Sequence, residues 1–128
     1  MNLGRVSSAA LMLSGISAVL TPRRVASALD LSVVSDRGVA EIRAGLGGTY
    51  AALGGWALLS RDPVAQAAVG VTWLGAAAVR LASLVVDRPR TDLAFWAYLA
   101  AEIGFGASSL AYASSASRSH APSVAAAS

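Results

Sequence analysis

The sequence predicts an all-α protein, a four-helix transmembrane bundle with short loops and a flexible C-terminal tail. Three observations carry that reading. Hydrophobic residues make up 55% of the chain and charged residues only 13%, about half the roughly 25% charge of soluble domains. A soluble chain of 128 residues has little interior and needs a large polar surface, which so few charges cannot supply. Four apolar stretches alternate with three polar breaks, and the breaks carry residues that start or stop helices.

The first apolar run, Val6 to about Leu20, follows Arg5 and stops at Thr21-Pro22-Arg23-Arg24, so helix one covers about 3–21. A cleaved signal peptide is the competing reading, but Pro22 and two arginines stand where a small-residue cleavage site should be. Loop one runs from Thr21 to about Ala40. In it Val25, Leu29 and Val33 recur every four residues, which suits a short amphipathic helix in the interface and leaves a plain loop as the alternative. Asp36-Arg37-Gly38 reads as a turn before helix two, about 41–60. Asp62-Pro63 then offers an N-cap followed by proline at the first helical position, starting helix three, 63–86. Asp87-Arg88-Pro89-Arg90 ends it, and Thr91 or Asp92 can cap helix four, 92–113. The bundle domain is thus 1–113. Residues 114–128, rich in Ser and Ala, read as a flexible tail. Spanning helices take about 20 residues, which runs three and four meet directly. Runs one and two meet it only with their flanking residues.

Composition also excludes functions. The chain has no Cys, hence no disulfide, thiolate metal site or Cys nucleophile. Its single His, His120, lies in the tail without a second ligand beside it. No catalytic set, metal site or cofactor motif is therefore visible. The glycine-rich stretch of helix two lacks the Lys-Ser/Thr pair of a phosphate loop. The net charge of +3 comes from scattered arginines, not from a basic stripe that would hold nucleic acid. All ten basic residues are Arg, a usage typical of GC-rich bacterial genomes, so the expected location is a bacterial plasma membrane. Arg5, Arg61 and Arg118 fall on one side of the expected topology. Arg23, Arg24, Arg37, Arg88 and Arg90 fall on the other, with Arg43 nearby. The positive-inside rule then puts loops one and three in the cytoplasm.

The candidate site comes from charges inside the apolar runs. Glu102 lies about nine residues into helix four, roughly 14 Å deep at 1.5 Å per residue. A lone acid at that depth costs roughly 2.5–3.5 kcal/mol on insertion scales, so it needs a partner or a proton. Arg80 lies about six residues from the same end of helix three, roughly 9 Å down, and its long side chain can span the difference. Glu41, Arg43 and Tyr50 on helix two fall in the same leaflet, so the five residues are expected to converge on a polar cluster. That cluster holds a ligand or simply fixes helix register. Gly47, Ala51 and Gly55 form a small-residue stripe suited to close helix packing. Trp56 and Tyr112 mark one interface and Trp96 and Tyr98 the other. Trp73, in mid-helix, reads as core or lipid contact.

The run Ala40-Glu41-Ile42-Arg43-Ala44-Gly45-Leu46-Gly47-Gly48 resembles the bacterial domain-of-unknown-function 4345 family of small four-helix membrane proteins. Gly75 through Arg80, with Ser83, Asp87 and Glu102, agrees. The resemblance covers most of residues 3–113 and omits the tail. The chain departs from it at Arg43-Ala44-Gly45-Leu46-Gly47-Gly48, where an Arg-Gly-Tyr-Gly-Gly-like run is usual. It departs again at Arg88, where Gly commonly follows the Asp. The resemblance implies a membrane bundle and brings no established activity. A looser likeness to DoxX-type bundles, some of which accompany quinone-linked oxidoreductases, is one of fold alone. Two functions fit the sequence. One is a non-catalytic accessory or scaffold subunit beside a membrane protein partner or a second copy of itself. The other is a binder of a small lipophilic molecule, such as a quinone or lipid, or a proton relay through the charged cluster.

Overall fold

The computed structural model describes residues 2–60 and 62–119, and every regular element among them is helical. Helix α1 spans Leu3–Leu20, α2 Pro22–Ala28, α3 Asp36–Glu41, α4 Thr49–Ser60, α5 Pro63–Val86 and α6 Leu93–Ser119. A π-helical segment, Ile42–Gly48, joins α3 to α4 without a break. Three helices, α1, α5 and α6, are long and apolar enough to cross a membrane. The second apolar run is divided, because α4 alone has 12 residues.

Side chains at the helix ends explain these boundaries. The Asp62 carboxylate accepts from Val64 N at 2.8 Å, with Pro63 opening α5. The Asp92 carboxylate accepts from Phe95 N at 2.9 Å at the start of α6. Ser35 Oγ accepts from Gly38 N, so Asp36-Arg37-Gly38 is the first turn of a helix and not the expected turn. An acid at that end also suits the helix dipole. Loop one does contain a helix, α2, and just beyond it Asp30 takes a left-handed φ of 57°. Helix α5 closes with Ser83 O accepting from both Asp87 N and Arg88 N. Arg88 there has a φ of 49°, the conformation in which glycine is favoured. At the C-terminus α6 continues to Ser119 instead of ending at 113. Ser114, Ser115, Ser117 and Ser119 donate to carbonyls one turn back, so their hydroxyls are satisfied within the helix. His120 and the remaining tail, like Arg61, lie outside the described residues.

Two helix pairs pack most closely. Helix α1 lies along the π segment and α4, and α5 lies along α6; α1 also meets α6, and α4 meets α5. A Cβ on Gly15 would collide with the backbone of Gly47 and Ala51. One on Gly54 would come within 2.7 Å of Ser8 O. In the other pair, a Cβ on Gly70 or Gly106 would stand 3.1 Å from the other's carbonyl oxygen. Lipid is as apolar as a leucine side chain, so van der Waals contact and polar bonds must hold such helices together. Both are present. Leu11, Ala57, Ala65 and Val69 form a small buried core, and a buried polar network crosses it. Gln66 Nε2 donates to Ala57 O and its Oε1 accepts from Ser8 Oγ, each at 3.0 Å. Ser109 Oγ donates to Ser7 Oγ at 2.8 Å, and Ser7 Oγ donates to Phe105 O. This network ties α1, α4, α5 and α6 at the end opposite the α5–α6 loop. Large apolar side chains such as Leu59 and Val85 point outward.

Gly15→Ala is expected to cost about 1–3 kcal/mol, the usual range for overpacking, because the obstacle is backbone that cannot move aside. Gly55→Ala is expected to be neutral or stabilising, since Met12 Sδ at 3.8 Å is its only near neighbour and alanine favours helix. Thermal unfolding of both variants in detergent checks this; equal losses contradict the packing described.

Candidate functional site

Arg80 on α5 and Glu102 on α6 meet because the short loop after Val86 folds α6 back along α5. Arg80 Nη2 donates to Glu102 Oε1 at 2.6 Å and Arg80 Nε donates to Glu102 Oε2 at 3.0 Å. This is the two-pronged geometry in which a guanidinium matches a carboxylate. Glu102 is only 6% exposed, and Arg80 is more open. The guanidinium also lies 5.4 Å from the Phe95 ring centroid and 5.7 Å from that of Tyr98, within cation–π range. Pairing thus answers the cost of an acid at this depth.

A cavity of about 510 Å³ lies beside the pair, between the α1–α4 and α5–α6 pairs. Tyr50, Trp73 and Phe105 form its aromatic wall. The Trp73 ring is 6.4 Å from Tyr50 and 5.4 Å from Phe105, centroid to centroid. Ser14 and Ala18 of α1 and Val25 of α2 line other parts of the chamber. A second cavity of about 570 Å³ lies toward the α5–α6 loop, where Asp30, Asp87, Arg90 and Asp92 line it. Arg80 and Tyr98 border both cavities. Tyr98 Oη also donates to Ala28 O at 3.4 Å, tying α6 to the end of α2. Arg80 therefore stands between an outer cavity lined in part by charged residues and an aromatic inner one.

Of the five residues expected to converge, the structure brings three together: Tyr50, Arg80 and Glu102 all line the inner chamber. Glu41 and Arg43 do not join them. Glu41 is exposed and sits 3.8 Å from Arg37, while Arg43 is exposed on a separate groove with Arg23 and Asp36. The π segment is the reason. On an uninterrupted α-helix, residues seven apart share a face, so Arg43 would lie below Tyr50. A π turn holds more residues than an α turn, and this one rotates Arg43 away from Tyr50. The packing stripe also differs from the expected one, because within the regular helix α4 the close-packed face returns three residues after Ala51, not four. Gly47 meets Val19 and the Ala51 backbone meets Gly15, but Gly54, not Gly55, makes the third close approach.

Sequence reasoning missed several residues here. Trp73 and Phe105 wall the chamber, and the only signals were aromatic side chains within long apolar runs. Gln66, a lone amide in such a run, could have been flagged on the same physics as Glu102. Trp73 Nε1 is buried without a hydrogen-bond partner. Among the described residues, no cluster of three His, Cys, Asp or Glu could hold a metal ion.

No family model, curated protein or solved structure matches the chain. The chemistry must therefore be read from the chamber itself. It is apolar over most of its wall, with a charge-balanced pair and a phenol at one end. Such a space can hold and orient a molecule.

A double-mutant cycle tests the pair. Glu102→Gln and Arg80→Gln are each expected to lower stability by roughly 2–4 kcal/mol, because each leaves a charge in a poorly hydrated place. The double variant is expected to lose less than the sum by at least about 1 kcal/mol. Thermal or denaturant unfolding in detergent measures this; additive losses would mean that the two side chains do not act together.

Proposed function

We propose that this chain is a four-helix integral membrane protein of a bacterial plasma membrane whose inner chamber binds a small lipophilic molecule. Membrane residence is supported by the three helices long and apolar enough to span. A fourth crossing is proposed for α3, the π segment and α4 together. They run unbroken over 36–60, longer than the roughly 20 residues a span requires. The all-arginine basic set supports a bacterial source. The arginines around α2, α3 and the α5–α6 loop favour a cytoplasmic position for that end. Helix α2 would then lie in the cytoplasmic interface.

The observation that carries the binding reading is the chamber. Its 510 Å³ lies within the roughly 300–1,000 Å³ of small-molecule sites, and it has their usual makeup of apolar walls and a few convergent polar groups. A pair that served only to fix helix register would need no cavity beside it. This favours a ligand-binding protein over a plain scaffold subunit.

Native mass spectrometry of protein extracted gently from its own membranes tests this. The expected result is a discrete small-molecule mass on the wild type. That mass should be absent from Ala76→Phe, which places a ring into the space that Ala76 borders. Bare wild-type protein, or a stoichiometric protein partner without a small molecule, would overturn the binding reading.

A further inference from the structure

The polar end of the inner chamber is electrically balanced, and that selects among ligands. Both Glu102 oxygens accept from Arg80, so neither charge is left to recruit an opposite one. An anionic headgroup would find Arg80 neutralised, and a cationic one would find Glu102 neutralised. What the chamber still offers is hydrogen-bond donors. Tyr50 lines the chamber together with Arg80 and Glu102, and its hydroxyl makes no hydrogen bond among the described residues. Arg80 uses two of the five N–H groups a guanidinium carries. Trp73 Nε1 is closed off by its surroundings; Ser14 and the remaining Arg80 N–H groups also border the chamber, but Tyr50 is the donor whose ring belongs to the aromatic wall. Beyond it the Tyr50, Trp73 and Phe105 rings run as one row, a surface suited to a flat conjugated ring.

We infer that the occupant is an uncharged lipophile bearing a flat ring and a carbonyl oxygen, with that oxygen accepting from the Tyr50 hydroxyl. This rests on the binding role proposed above and specifies its ligand class. An ionised fatty acid is excluded by the charge balance. An aliphatic lipid would make no use of the aromatic row.

The test uses the full chain in lipid nanodiscs with Trp56→Phe and Trp96→Phe. Neither residue lines the chamber, and the double change leaves Trp73 as the sole indole reporter. Decyl-ubiquinone, a flat ring carbonyl with a short tail, serves as the probe, and oleate as its anionic counterpart. Saturable quenching of Trp73 by decyl-ubiquinone is expected, lost in Ala76→Phe and not reproduced or displaced by oleate. Tyr50→Phe keeps the ring and removes the donor; it should weaken binding roughly two- to tenfold, as one neutral hydrogen bond would. Phe105→Leu, which shortens the aromatic row, should also weaken binding and serves if the Tyr50 variant does not fold. Undiminished affinity in Tyr50→Phe, or tighter binding of oleate, would overturn the inference. So would the absence of saturable quenching. In each case a small-molecule mass retained in native spectra would leave the binding role standing, and its loss would remove both.

Discussion

A carboxylate far from water is tolerated only where something else solvates it, and in this chain that something is Arg80. The consequences spread from that one contact. The two-pronged bond fixes the rotation of α5 against α6, since sliding or turning either helix would separate the forks. It turns Arg80 toward Phe95 and Tyr98, whose ring faces receive the guanidinium. It also helps set the wall between the two cavities, because Arg80 and Tyr98 border both, while Phe95 lines the outer one and Glu102 the inner one. A buried pair seldom adds net stability over an apolar replacement.

The two ends of the molecule solve the membrane problem differently. Away from the α5–α6 loop, backbones come together through Gly70 and Gly106, and through Gly54 against Ser8. The Ser7, Ser8, Gln66 and Ser109 network fills that region with satisfied polar groups. Interhelical hydrogen bonds in membranes average only about 0.6 kcal/mol, so this network positions more than it stabilises. Toward the α5–α6 loop, α1 still lies tight against the π segment and α4 at Gly15 and Gly47, but aromatic rings and long side chains stand between that pair and α5–α6. The chamber is the space that results, bordered by the ion pair, with α2 contributing Val25 and Leu29 to its lining.

Much of this was legible in the sequence, for identifiable reasons. The apolar runs and the capping signals of Asp62 and Asp92 are local, and local rules describe them. Arg80 and Glu102 could be paired from their depths alone, because a short loop forces both to be measured from one face. What failed was whatever depended on regular helix geometry through the glycine-rich stretch. A π segment over Ile42–Gly48 moved Glu41 and Arg43 off the site, and beyond Ala51 the close-packed face returned three residues on, at Gly54, and not four. Glycine's weak helical preference makes such a departure affordable there, but the composition does not say which hydrogen bonds replace the regular ones. The chamber itself was not legible, since Trp73 and Phe105 look like any aromatic side chains in an apolar run. The continuation of α6 through the serines was not legible either, because serine competes for backbone hydrogen bonds and a composition rich in it reads as non-helical.

The most direct test of the central claim is the charge state of Glu102 in a bilayer, read as the infrared difference between wild type and Glu102→Gln at neutral pH. The account predicts that the difference contains an ionised carboxylate band, with no protonated carboxyl carbonyl stretch, because Arg80 holds the anion. A protonated carboxyl band assigned to Glu102 would contradict it, and the acid would then be accommodated by neutralisation and not by its pairing with Arg80.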